Sequence, residues 1–241
     1  MFTLFKKEIS SYFGSLTGYI VITVFLCTNS LFLWIFPGEY NVLDSGYSNL
    51  DTLFFIAPWI FLFLVPALTM RLFSEEKRSG TFEILYTKPI SVMQIIISKY
   101  LAGVVLVLFS LIPTLIYFIT VYYLGKPVGN IDIGATWGSF IGLFFLAAVY
   151  VAIGVFSSSL TENQIVSFLI SMLLSFFIFI GFEAISSLNF FGNNGDIIEN
   201  FGINAHYKSI SRGIIDSRDV MYFVFVSTVF IFSTKIIIEK N

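Results

Sequence analysis

Six stretches of the chain run for close to twenty residues with almost no polar interruption, and short polar segments separate them. They are Gly18–Phe36, Leu53–Met70, Tyr100–Leu124, Thr136–Phe156, Gln164–Phe182 and Val220–Thr234, the last reaching full length when extended past Lys235 to Ile238. A helix rises about 1.5 Å per residue, so roughly 20 apolar residues cross a bilayer core of about 30 Å. The pattern predicts an all-α polytopic membrane protein with about six transmembrane helices in a single domain. Ahead of the first stretch, Phe2, Phe5, Ile9, Tyr12 and Phe13 recur at helical spacing while Lys7, Ser10 and Ser11 point the other way. That arrangement predicts a helix over residues 1–17 lying in the cytoplasmic interface, a frayed tail being the alternative. Pro37-Gly38-Glu39-Tyr40 follows the first stretch without a small-x-small cleavage pattern, so the stretch reads as a retained helix.

Composition strengthens this reading. Of the 241 residues, 57% are hydrophobic and 12% charged, where a soluble domain has about 45–50% and about 25%. With 30 Phe and a mean hydropathy of +0.90, the chain needs an apolar surface as well as an apolar core. The basic residues lie beside particular apolar runs and form no single stripe, which argues against a nucleic-acid partner. Lys6, Lys7, Arg71, Lys77, Arg78, Lys88, Lys99, Lys235 and Lys240 share one side of a six-span topology, and only Lys126, Lys208, Arg212 and Arg218 fall on the other. The positive-inside rule then places both termini in the cytoplasm of a bacterial inner membrane. Asp44, Asp51, Asp132, Asp196, Asp216 and Asp219 all fall outside.

Catalytic chemistry is hard to find. Cys27 is the only cysteine and His206 the only histidine, so a disulfide, a zinc site or a catalytic dyad is not expected. None of the spans as drawn holds an ionisable residue in its interior, which argues against proton- or sodium-coupled transport and against an intramembrane hydrolase. Glu183, just past the fifth span, is the nearest exception. Gly125-Lys126 is followed by Pro127 and lacks the spacing of a phosphate-binding loop, so no cofactor is expected on this chain and any energy must come from another subunit. The spans do carry packing signals. Gly134, Gly138 and Gly142 form a small-residue stripe for close helix contact, within one protomer or between two. Pro58, Pro66 and Pro113 free backbone carbonyls in the second and third spans.

The connection over residues 71–99 is the most informative segment. Glu75-Glu76-Lys77-Arg78 reads as a solvated helix end, Gly80 as a left-handed stop, and Ser91 with Gln94 as a capping box. Thr81–Thr87 offers two turns with Phe82, Leu85 and Tyr86 apolar and Glu83 charged, closed by Pro89. The segment predicts a short cytoplasmic helix with one apolar side free to enter a groove on a partner, or else lying on its own bundle.

At these residues the chain resembles the ABC-2 type transporter permeases, whose recurrent pattern E-E-[KR]-x-x-G-T-x-E-x-L-x-x-x-P-[IV]-S stands here as Glu75 to Ser91. The opening F-K-K-E-I and the segment His206 to Asp219, similar to H-[FY]-x-x-[IF]-x-[RK]-G-[IV]-[IV]-D-x-[RK]-D, extend the likeness. Within the family it looks most like the gliding-motility-associated permease subunit, and the nitrous-oxide-reductase maturation permease is more distant. The resemblance implies two six-span protomers, identical or paired with a related permease. Each would dock a separate ABC ATPase, which binds ATP and Mg, through a coupling helix comprising Glu75, Glu76, Gly80, Thr81, Phe82, Glu83, Leu85, Tyr86 and Pro89. It also implies an outer re-entrant hairpin over residues 183–219, with His206, Arg212, Gly213 and Asp216 as gate residues and Gly192-Asn193-Asn194-Gly195 as its turn. A membrane scaffold of a motility or secretion assembly, moving no substrate, is the alternative.

Overall fold

The computed structural model describes residues 1–86, 90–187 and 198–240, apart from the side chains of residues 84–86. The expected turn at 192–195 and Pro89 lie outside the described residues, which contain helices and no strand.

A helix α1 (Phe2–Gly14) precedes α2 (Leu16–Ser30), which runs on through a π-helical turn at Leu31–Ile35. Next come α3 (Asp51–Thr69) and two short helices, α4 (Ser74–Arg78) and α5 (Thr81–Tyr86). The third span is α6 (Val92–Leu111) and α7 (Leu115–Leu124), joined by a 3-10 turn at Ile112–Thr114. It is followed by α8 (Ile133–Leu160) and by α9 (Gln164–Phe176), which continues through a π-helical turn, Phe177–Gly181, into α10 (Phe182–Ser186). The chain closes with α11 (Ile203–Ser211) and α12 (Ser217–Lys240). Six of these helical stretches are long and apolar enough to cross a membrane.

Local chemistry accounts for the ends. The capping box at α6 is present: Ser91 Oγ accepts the Gln94 amide at 3.3 Å and Gln94 Oε1 accepts the Ser91 amide at 3.4 Å. Asp132 caps α8 through the Ala135 amide and Asn163 caps α9 through the Ile165 amide, both at 2.9 Å. Gly80, at φ +68°, ends α4 in the left-handed region. Pro113 falls in the 3-10 turn that divides the third span, because proline cannot donate to the preceding helical turn.

The bundle is arranged around α8, which touches α3, α6, α9, α11 and α12. Its most apolar stretch is 78% buried, against 28% for the first span and 22% for the fifth and sixth. Small residues make that centrality possible. At Gly154 a Cβ would lie 1.9 Å from Thr69 Oγ1 of α3, so the two helices meet at a distance no side chain allows. The outer helices invert the polarity of a soluble protein. On α9, Ser167, Ser171 and Ser175 are fully buried while Leu169, Leu173 and Phe176 are exposed, as expected where lipid is the outer solvent.

Candidate functional site

Lys99, in the second turn of α6, is 2% exposed. Its Nζ lies 3.2 Å from Glu8 Oε1 of α1 and 2.9 Å from Glu76 Oε1 of α4, and donates to the Leu72 carbonyl at 2.7 Å. The Phe73 ring centroid is 5.1 Å away. Desolvating an ammonium costs several kcal/mol, offset only by good pairing, and here two carboxylates and a carbonyl surround it. The cluster therefore ties α1, the segment after α3 and α4 to the head of the third span. Lys7 joins from the rim, 3.6 Å from Glu8 and 3.4 Å from Glu76. Burial alone would lower its pKa, but the two carboxylates override it and hold the ammonium above its usual value.

Glu75-Glu76-Lys77-Arg78 is thus not a uniformly solvated helix end. Glu75 and Arg78 are exposed, but the Glu76 side chain keeps 15% of its surface and Lys77 Nζ donates to the Ser159 carbonyl at 2.7 Å. That last bond places a cation on the C-terminal turn of α8, where free carbonyls and the helix dipole favour it. Ser158 of α8 completes the anchorage. Its Oγ accepts the Phe73 and Ser74 amides at 2.9 and 3.1 Å, satisfying donors at the start of α4 that have no helical partner. Sequence reasoning drew the third span from Tyr100 and so missed Lys99 by one residue. A signal was available: Phe5, Glu8, Ile9 and Tyr12 share one face of α1, and a carboxylate on an apolar stripe requires a buried partner.

Beside the cluster lies a cleft of about 420 Å³ lined by Lys7, Glu8, Tyr12, Arg71, Glu75 and Lys99 among others. Burial, with Glu8 nearby, pushes the Tyr12 phenol well above its usual range, so it stays neutral. Beyond Gly80 the α5 segment turns Phe82 onto the chain's own Phe73, with ring centroids 5.9 Å apart at 80°. Thr81 and Glu83 are exposed. The side chains of Leu85 and Tyr86 lie outside the described residues.

The helix α11 and Gly213 pack at the other end of α8. A Cβ on Gly138 would lie 2.5 Å from the Ile210 carbonyl and 3.0 Å from Gly213 Cα; at Gly142 it would meet the Tyr207 ring at 3.3 Å. Gly213, at φ +85°, would put a Cβ 2.8 Å from the Ala135 amide. The glycine stripe is therefore a seat for α11 within one chain. Gly134 takes little part, since a Cβ there meets only Asp132 Oδ1 at 3.4 Å.

Tyr207 fastens α11 to a second helix. Its hydroxyl donates to the Phe54 carbonyl at 2.7 Å, the group left without a helical donor because Pro58 stands four residues on. Burial pushes this phenol far above the usual range, which keeps it a donor. His206 bridges Asp219 of α12 and the Asn200 carbonyl, while Lys208 and Asn204 hold Glu183 at 2.9 and 2.5 Å. Arg212 and Asp216 are exposed; Asp216 Oδ1 accepts the Arg218 amide at 2.9 Å and so helps to start α12. Asp219, at 6% exposure, is buried in the first turn of α12.

A family model described as ABC-2 family transporter protein matches residues 41–211, from the connection before α3 to the end of α11. No curated protein matches the chain.

Proposed function

The chain belongs to the ABC-2 family of transporter proteins, transmembrane permeases of ATP-binding cassette transporters, and from that premise we propose that it exports a substrate driven by a separate ATPase. The substrate path is formed by two protomers, and the ATPase docks at the cytoplasmic end through the segment Glu75 to Pro89. The observation that supports this reading is the buried Lys99, because a push on α4 passes through a paired charge into α6 without an intervening flexible link. ATP and Mg are held by the partner, and this chain supplies the path and the lever. Both termini lie in the cytoplasm, with α11 on the outer side of the inner membrane. A link to gliding motility rests on sequence resemblance and names a phenotype, not a cargo.

Orientation is checked with reporters. A fusion after Asn241 is expected to report a cytoplasmic location and one at Asn194 an external location; a cytoplasmic signal at Asn194 would mean that the six-span count is wrong.

Docking is tested with the permease co-expressed with its ABC ATPase. Leu85→Asp is expected to abolish co-purification while leaving permease yield unchanged, since a charge forced into a desolvated contact is costly and the position lies outside the apolar spans. Ser79→Asp, at an exposed turn, is expected to have little effect. Retained ATPase binding by Leu85→Asp would remove the docking assignment, and ATP turnover by the permease alone would remove the division of labour.

A further inference from the structure

His206 is the chain's only histidine, and both of its ring nitrogens face oxygen acceptors. Nε2 lies 2.9 Å from the Asn200 carbonyl and Nδ1 lies 2.7 Å from Asp219 Oδ1. A carbonyl can only accept, so Nε2 carries a hydrogen. Nδ1 then meets a carboxylate oxygen. Without a proton between them, two lone pairs would oppose each other at hydrogen-bond distance, inside a site where Asp219 keeps 9% and His206 17% of its side-chain surface. Asp219 Oδ2 is buried and has no hydrogen-bond partner among the described residues.

The other groups around the ring do not supply that proton or its charge. Tyr222 of α12 stacks on the ring at 3.9 Å between centroids, and its hydroxyl is committed to the Phe201 carbonyl. Lys208 of α11 is paired with Glu183 at 2.9 Å. Arg218 and Glu199 flank the site along the chain, and among the described residues neither is paired with Asp219. The α8 face under α11 and the π-helical turn Phe177–Gly181 carry no acidic, basic or histidine side chain.

We propose that His206 and Asp219 form a one-proton binding site that clasps α11 and residues 200–201 to the first turn of α12. With the proton bound, Nδ1 and Oδ1 share it and the ring bridges three segments. Its loss leaves one ring hydrogen for two acceptors: the hydrogen stays on Nδ1 facing the carboxylate, Nε2 turns a lone pair to the Asn200 carbonyl, and the link to residues 200–201 opens. The sign follows directly: the clasp is closed on the acidic side and released as the surrounding pH rises. That the site samples the outside of the cell rests on the orientation proposed above; the existence of the proton site does not.

The single histidine makes the test specific. The full chain, labelled with ¹⁵N-histidine and held in nanodiscs, gives ring-nitrogen signals from His206 alone. In the closed clasp both Nδ1 and Nε2 are expected to carry or share a proton, and their signals should change together with the hydrogen-exchange behaviour. An Nδ1 signal typical of a bare, unbonded nitrogen would overturn the proposal without recourse to any variant. Hydrogen exchange supplies the second readout. Protection of the Phe201 and Gly202 amides, which donate to the Ile198 and Glu199 carbonyls, corrected for intrinsic rate, is expected to fall at least tenfold between mildly acidic and alkaline pH. In Asp219→Asn the amide can donate to a bare Nδ1, so the demand for a proton disappears and protection should no longer depend on pH. Equal pH dependence in both proteins, or none in the wild type, would refute the clasp.

Discussion

Replacing Lys99 by methionine is expected to cost about 3–5 kcal/mol, the range for removing one partner from a buried ion pair. The variant leaves Glu8 and Glu76 facing the same space, paired only with Lys7 among the described residues, and that side chain is 58% exposed. The Leu72 carbonyl loses its donor as well. The triple variant Glu8→Gln, Glu76→Gln, Lys99→Met should recover much of the loss, because the penalty lies in the uncompensated carboxylates and not in the missing ammonium itself. Lower pH should narrow the deficit of the single variant by neutralising those carboxylates. Thermal unfolding of the purified protein in detergent measures each effect. If Lys99→Met melts with the wild type, the carboxylates are hydrated and the cluster holds nothing. A stable Lys99→Met protein that no longer retained its ATPase would instead limit the cluster to positioning α4.

Much of the scaffold was legible because the signals are local. Six uninterrupted apolar stretches, a Ser-x-x-Gln cap and a glycine after a short charged helix each act within a few residues, and each feature is present. What escaped reading depends on partners far along the chain. Glu76 looked solvated because its neighbours are charged; its side chain keeps only 15% of its surface because Lys99, 23 positions later, enters the same space from α6. Pro58 announced a free carbonyl at Phe54, but nothing local says that the donor is Tyr207. The family resemblance marked His206 and Asp219 as one motif, whereas their direct contact appears only once α11 folds back on the start of α12. Sequence likewise could show that the glycines of α8 permit a close approach without naming what approaches.

That last point gives the second large effect, at Gly138. On sequence alone Gly134, Gly138 and Gly142 are equivalent members of one stripe, and substitutions at the three should behave alike. The structure ranks them. A side chain at Gly138 meets backbone, the Ile210 carbonyl at 2.5 Å and Gly213 Cα at 3.0 Å, and backbone cannot rotate out of the way. At Gly142 the nearest atoms belong to the Tyr207 and Ile210 side chains at 3.3 and 3.4 Å, which can yield by a few tenths of an ångström. At Gly134 only Asp132 Oδ1 is close. Gly138→Val should therefore lift α11 from α8. Overpacking of this kind costs about 1–3 kcal/mol, and pulling the Tyr207 hydroxyl off the Phe54 carbonyl adds about 1–3 kcal/mol for the buried acceptor left unpaired. Ile210 of α11 is fully buried against α8, so a cysteine at that position reports the lift. In a Cys27→Ser background, Ile210→Cys should resist maleimide in the solubilised protein. Adding Gly138→Val should speed labelling by more than tenfold, Gly142→Val by less, and Gly134→Val hardly at all. Equal labelling across the three would mean that α11 is not seated on α8 as described, and an unreactive Ile210→Cys in the Gly138→Val protein would mean that the seat tolerates a side chain the geometry forbids.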